Sequence, residues 1–311
     1  MPDLPSTPMQ DEANVHAEPL VSVIMNCYNG EQYLRDAINS VIGQTYQNWE
    51  LIFWDNQSTD HSAATFMSYA DPRLRYFYAP SHTVLYDARN HAVSKSRGEF
   101  LAFLDVDDWW TTDKLTAQIG LFADETVGLV YGNFWIARNG DRLKLAHHKR
   151  LPEGNVLNQL IEHYCVGLLT IVVRRSAFES LSYPFDSRYR MIGDMDLAVR
   201  LAVNWDFAAI QRPLAFYRLH GNNESIRGFG CAIKEHENWY CEATNHPHIS
   251  KQISFVNGML YTKGLYALNE GRRADAFNIF YKLPMNMIKV RLLAFIVISM
   301  LPIRWNPWLH G

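Results

Sequence analysis

An apolar stretch over residues 100–104 delivers three carboxylates within four positions, Asp105, Asp107 and Asp108. Like charges packed this densely repel unless a cation sits among them. Hard divalent ions such as Mg²⁺ and Mn²⁺ take carboxylate oxygens and share them with substrate phosphates. The same letters also suit a solvated acidic turn or a helix cap, with Asp108 or Asp113 at the N-terminus of the next helix. A second cluster, Asp55-Asn56-Gln57-Ser58-Thr59-Asp60, could read a base edge or a ribose hydroxyl, or could supply turn and cap residues. Ala88-Arg89-Asn90 puts a guanidinium at the start of a helix, suited to a phosphate, a base or a surface ion pair. In Gly193-Asp194-Met195-Asp196, the second aspartate pairs at i, i+4 with Arg200, which leaves Asp194 the freer of the two to act as a base. His220, two residues after Arg218, could ligate a metal or hydrogen-bond a phosphate, although a lone histidine is more often structural.

These clusters need a frame. Residues 20–26 read as a strand buried on both faces, and the turn Tyr28-Asn29-Gly30 comes directly after it. Leu34, Ala37, Ile38, Val41 and Ile42 then fall on one helical stripe. Strands at 50–54, 74–78 and 100–104 alternate with helices at 60–69 and 87–97, which predicts an α/β fold with a parallel sheet covered on both faces. Ligands of such sheets lie beyond the carboxyl ends of the strands, here after residues 26, 54 and 104. Past Asp113 the pattern loosens, with strands at 127–131 and 170–173 and a helix at 195–203. From about residue 228 the composition turns helical, and residues 264–277 read as one helix-turn-helix unit of tetratricopeptide type without a second copy.

Composition narrows the class. The chain has 311 residues, 48% hydrophobic and 20% charged, enough apolar side chains for one large core or two, which rules out disorder as the main state. A formal net charge of −3 offers polyanions no long-range attraction, so nucleic acid is not expected as a partner. Cys27, Cys165, Cys231 and Cys241 are too few and scattered for a disulfide framework, and no leader pattern opens the chain, so a cytoplasmic protein with free thiols is expected. Cys231, His236, Cys241, His246 and His248 do not match the short spacing of zinc ligands. No Gly-x-Gly-x-x-Gly or Gly-Lys-Ser/Thr motif stands after the first strand. Residues 1–18 read as a mobile tail. Residues 292–303 carry no charge, too short a run for a bilayer span of about 20 residues. With Lys289, Arg291, Arg304, Trp305 and Trp308 around it, the segment 285–311 suits either a buried terminal helix, the more frequent case, or one lying on a lipid surface.

Taken in order, these segments resemble the family-2 inverting glycosyltransferases of GT-A fold. The resemblance runs from Pro19 to about Ser225. It is carried by Val21-Ser22-Val23-Ile24-Met25-Asn26-Cys27-Tyr28-Asn29-Gly30, by Gln44-Thr45-Tyr46-Gln47-Asn48-Trp49-Glu50-Leu51, and by Asp55 to Asp60. Ala88-Arg89-Asn90, Gly98-Glu99-Phe100, Asp105-x-Asp107-Asp108-x-Trp110 and Gly193-Asp194 with Asp196-Leu197-x-x-Arg200 complete it. The family often has Asp-Asp-Gly-Ser where this chain has Asp55-Asn56-Gln57-Ser58, and Glu-Asp where it has Gly193-Asp194.

The resemblance implies a GT-A domain over 19–227; the helical C-terminal region over 228–311 lies outside it and is expected to contact acceptor, partner or membrane surface. It implies a nucleotide-diphosphate sugar donor, with Asn26, Tyr28, Asp55 and Asn56 near the base and Arg89 near the nucleotide. Asp105, Asp107 and Asp108 would hold ribose and metal, Mn²⁺ or Mg²⁺, with His220 a further candidate ligand, and Asp194 would be the catalytic base. The acceptor would be a glycan or a lipid-linked sugar in polysaccharide or cell-envelope synthesis, at the cytoplasmic side and peripheral to the membrane. A non-catalytic sugar-nucleotide or glycan binder acting as a scaffold would lack reason to keep both the metal aspartates and Asp194. Nucleotidyl transfer would favour a glycine-rich, basic loop where Asn26 to Gly30 stand.

Overall fold

Every residue of β1 (Val21–Cys27) and of the next strand, β2 (Trp49–Asp55), is buried, as strands covered by helices on both faces must be. The structure, a computed structural model, describes residues 18–138, 142–283 and 287–299. Between the two strands lies α1 (Glu31–Ile42), which buries Leu34, Ala37, Ile38 and Val41 along the stripe that their spacing predicts. The alternation continues through α2 (Ser62–Met67), β3 (Leu74–Tyr78), α3 (Leu85–Ser94) and β4 (Phe100–Phe103). Next come β5 (Trp109–Trp110), α4 (Lys114–Ile119), β6 (Val127–Arg138), β7 (Arg142–Leu145) and α5 (Leu157–Glu162). β8 (Val172–Arg174), α6 (Arg175–Glu179), α7 (Gly193–Leu201) and β9 (Asp206–Leu219) close the sheet region. The chain ends in the helices α8 (Glu224–Arg227), α9 (Phe229–Ala243), α10 (Pro247–Ser250), α11 (Ile253–Asn269), α12 (Arg273–Lys282) and α13 (Met287–Ser299).

The strands order as β3-β2-β1-β4-β8-β6-β9-β5, with β7 paired to β6. β1 pairs in parallel with β2 on one side and β4 on the other, so the strand order reverses there and opens a crevice at the carboxyl ends. The sheet is not parallel throughout. β8 runs antiparallel to both β4 and β6, and β5 runs antiparallel to β9. An apolar run marks a strand but not its direction, which pairing partners decide.

One core face joins Ile24, Ile52 and Phe103 to α3 and α7, and it extends without break to Trp239, Tyr240 and Phe255 of the helical region. The opposite face packs α1, α2 and α4 around Val23, Leu51 and Phe100. A small third cluster, Ala267, Ala276, Leu283, Leu292 and Ile296, holds the last helices together. α11 and α12 form the helical hairpin that residues 264–277 predict, turning at Gly271, whose φ of 73° favours glycine. In α13, Leu292 and Ile296 are buried while Val290 and Leu293 are exposed. No helix among the described residues is long and apolar enough to cross a membrane. Residues 1–17 of the predicted tail, and 285–286 and 300–311 of the predicted lipid-surface segment, lie outside the described residues.

Candidate active site

Two turns beyond β1 and β2 are laced together by backbone donors. Glu31 N–H donates to Asp60 Oδ2 at 3.0 Å, and His61 N–H donates to Glu31 Oε2 at 2.6 Å. Thr59 N–H donates to Asn29 Oδ1 at 2.8 Å. Each turn thus satisfies the orphan donors of the other's helix. Gln57 stands where the resembled pattern has glycine and takes φ of 68°, a conformation that costs a side chain about 1 kcal/mol or more.

These contacts reassign part of the expected base site. Asp55 is fully buried; its Oδ1 accepts Ser58 N–H at 2.7 Å and its Oδ2 accepts the Tyr76 hydroxyl at 2.7 Å. Asn56 gives its amide to the loop before α3, with Nδ2 donating to Thr83 O at 2.8 Å and Oδ1 accepting Thr83 N–H at 3.1 Å. Both side chains, expected near a base, hold turns in this structure, with Asp55 fully buried and Asn56 5% exposed. Tyr28 remains 56% exposed beside the His82 ring, with centroids 4.4 Å apart. Asn26, at the end of β1, is 8% exposed, and neither its amide oxygen nor its nitrogen has a hydrogen-bond partner among the described residues. Unmet buried polar atoms cost about 1–3 kcal/mol each, a cost that a polar ligand in the crevice would relieve. Asn26→Leu should therefore leave the melting temperature of the free protein at or above the parent value, while weakening nucleotide affinity about tenfold. Thermal melting and calorimetric titration with UDP would check both halves.

The acidic strand end divides its three aspartates among three tasks. Asp105, 40% exposed at its side chain, accepts the buried Arg89 guanidinium at 2.6 Å. Asp108 is 2% exposed and turned inward, where its Oδ1 accepts Arg218 N–H at 2.9 Å. Burial, then the charges of Asp107 and Asp105, hold its carboxyl well above the usual range. Arg218 also donates from Nε to Asp107 O at 2.9 Å and from its terminal nitrogen to Asp36 at 2.7 Å, and its guanidinium lies 4.4 Å from the ring centroids of both Tyr33 and Trp109. Asp107 keeps its side chain 26% exposed, with Oδ2 2.9 Å from His220 Nε2. Because His220 Nδ1 accepts Asn222 N–H at 3.2 Å, the neutral ring carries its proton on Nε2 and donates to Asp107.

The metal set expected from sequence therefore contracts. Asp105 and Asp108 are engaged elsewhere, His220 acts as a donor that orients a carboxylate, and no group of three His, Cys, Asp or Glu side chains among the described residues could hold a metal. Asp107 alone still fits a hard cation, since Mg²⁺-type sites commonly use one or two carboxylates and complete their shell with substrate phosphates and water.

Asp194 lies in the first turn of α7. Its Oδ1 accepts Met195 N–H at 2.9 Å and sits 3.5 Å from the Tyr86 hydroxyl, which in turn accepts Asp194 N–H at 3.3 Å. Burial raises its carboxyl to about 6, against the opposing pull of the Arg89 charge. Asp196 instead faces the core, with Oδ2 accepting Arg200 at 2.8 Å and Oδ1 accepting Trp239 Nε1 at 3.0 Å, so the i, i+4 pair read from the spacing is formed. Tyr86 carries no sequence signal that marks it for the site. A Cβ at Gly193 would lie 2.6–2.7 Å from its ring, so the glycine that departs from the family's Glu-Asp pair is what admits this tyrosine beside the carboxylate.

A sheet whose order reverses at β1, with carboxylates at the carboxyl ends of its strands, places the chain among the α/β folds that bind ligands there, and the matches that follow give its class as GT-A. The glycosyl transferase family 2 model matches residues 22–181, and the chain belongs to that family. UDP-Glc:alpha-D-GlcNAc-diphosphoundecaprenol beta-1,3-glucosyltransferase WfgD of Escherichia coli is 34% identical over 166 residues, which cover 53% of this chain and 64% of WfgD, less than two thirds of that relative's length. WfaP of Escherichia coli, described by the same activity, is 29% identical over 219 residues, covering 70% of this chain and 84% of WfaP. Among solved structures, S. aureus TarS 1-349 in complex with UDP-GlcNAc superposes with a TM-score of 0.67 at 16% identity, over 88% of this chain and 83% of that one. Mannosyltransferase PcManGT from Pyrobaculum calidifontis, in complex with GDP-Man and Mn²⁺, gives a TM-score of 0.59 at 15% identity, over 92% and 82%.

Proposed function

We propose that the chain transfers one sugar from a nucleotide-diphosphate sugar to a hydroxyl of a glycan or lipid-linked acceptor, with inversion at the anomeric carbon. The geometry that supports this reading most is that of Asp194 in the first turn of α7, whose Oδ1 is held by Met195 N–H and the Tyr86 hydroxyl, with burial raising its carboxyl to about 6. Such a group is ionised at neutral pH yet basic enough to take a proton in the transition state. Asp194 accepts the acceptor's hydroxyl proton as that oxygen attacks the anomeric carbon from the face opposite the diphosphate, and a single displacement inverts configuration. Tyr86 holds the carboxylate by both its backbone and its side chain. Asn26 and Tyr28 take the nucleoside, and Arg89 neutralises Asp105 at the ribose side.

A bound Mn²⁺ or Mg²⁺ would supply positive charge and Lewis acidity toward the leaving diphosphate, and Asp107 is the residue that would hold it. Asp107→Asn is expected to weaken UDP affinity about tenfold or more in Mn²⁺ but not in EDTA; equal losses in both would remove Asp107 from the cation seat.

The similarity to WfgD and WfaP, which act on a diphosphoundecaprenol-linked sugar, supports a lipid-linked sugar as acceptor; in this reading the chain works at the cytoplasmic face of a membrane in cell-envelope polysaccharide synthesis. In this reading residues 19–227 carry catalysis and residues 228–311 meet acceptor, partner or lipid surface. The test is transfer from UDP- and GDP-sugars to a polyprenyl-diphosphate sugar, with product configuration read by NMR. A β-linked product from an α-linked donor is expected. Binding without turnover would instead mark a non-catalytic relative. Flotation with anionic vesicles would test the membrane contact.

A further inference from the structure

Base recognition needs a group able to complement the hydrogen-bonding edge of a ring, and the two side chains best suited by sequence, Asp55 and Asn56, are spent on their own turns. The loop that Asn56 holds brings another candidate to the same place. His82 Nδ1 lies 2.8 Å from Asn56 O, and its ring packs 4.4 Å from Tyr28. A carbonyl oxygen can only accept, so Nδ1 carries the proton and the neutral ring presents Nε2 as an acceptor. The imidazole is exposed beside the crevice, unlike the buried Asn56. Asn56 thus performs two positioning tasks: its side chain grips Thr83, and its carbonyl fixes the tautomer of His82.

We infer that His82 is a specificity-determining residue of the donor site, its Nε2 accepting the ring N–H of a base stacked at Tyr28. The inference rests on the donor-binding reading above. It selects nucleoside diphosphates whose base carries a ring N–H beside a carbonyl, uracil or guanine. Cytosine and adenine present a ring acceptor at that edge, and two acceptors facing each other repel.

Calorimetric titration of the full chain with UDP, GDP, CDP and ADP in Mn²⁺ tests it, for the parent, His82→Phe and His82→Ala. The parent should prefer UDP or GDP over CDP and ADP. His82→Phe, which keeps a ring against Tyr28 but removes Nε2, should lose about threefold to tenfold toward the preferred diphosphate and none toward CDP or ADP. His82→Ala should lose the same discrimination. Because the side chain is exposed, both variants should melt within a few degrees of the parent. Discrimination that survives in both variants, or a parent that binds all four alike, overturns the assignment to His82 while leaving donor binding intact. A parent that binds none of the four overturns the donor-binding reading itself.

Discussion

Asp194→Asn should bind UDP within about twofold of the parent and transfer sugar 10²–10⁴ times more slowly, the usual consequence of removing a positioned base. The amide fits the same space beside Tyr86 and Met195 N–H, so the loss would report proton transfer and not collapse of the site. The pH profile supplies an independent check. Burial raises the carboxyl from 3.8 to about 6, and only the ionised form can accept a proton, so kcat/KM should be flat near neutrality and fall about tenfold per pH unit below 6. The sign for stability is opposite. A carboxyl whose folded value lies above its unfolded one binds the proton more tightly when folded, so its contribution grows more favourable as pH drops from about 6 toward 4. Activity and fold should therefore part company in that window. Steady-state rates, with the difference in urea midpoint between the parent and Asp194→Asn across that window, would show the divergence, and a wild-type-like rate for Asp194→Asn would end the assignment.

Asp196→Ala should cost stability instead of chemistry. Its carboxylate is 4% exposed and holds both Arg200 and the Trp239 indole, which belongs to the core cluster that unites sheet and C-terminal helices. Removing it leaves a nearly buried guanidinium without its counter-charge, held only by the Tyr183 and Pro184 carbonyls, and a buried indole N–H without its acceptor, and breaking such a pair costs about 3–5 kcal/mol. A large drop in urea midpoint is expected, with kcat of the folded fraction close to the parent's. The contrast with Asp194→Asn, two positions away on the same helix, separates the two roles cleanly. A midpoint unchanged in Asp196→Ala would mean that the carboxylate does not join the helical region to the sheet.

The first half of the sheet is legible in the sequence because its physics is local. Seven buried residues in β1, the α1 stripe and the repeated strand-helix alternation depend on side-chain character at fixed spacing, and they point to the crevice at the carboxyl ends of the strands. The Asp196–Arg200 pair is legible for the same reason, since its members lie one helical turn apart. The antiparallel course of β8 is not, because three residues that pair with distant strands carry no mark of direction.

The site divides in the same way. By itself the sequence determined which chemistry the chain carries to the crevice, because carboxylates at strand ends and their order along the chain are fixed by the order of residues. Only the tertiary structure decided who is free to use it. Asp55, Asn56, Asp105 and Asp108 are drawn off by Tyr76, Thr83, Arg89 and Arg218, partners 16 to 110 positions away. His82, from the loop after β3, meets Tyr28, and Tyr86, from the helix that follows, meets Asp194. A polar side chain has one set of lone pairs and donors, and whether a ligand or the fold claims them depends on neighbours that only folding brings together.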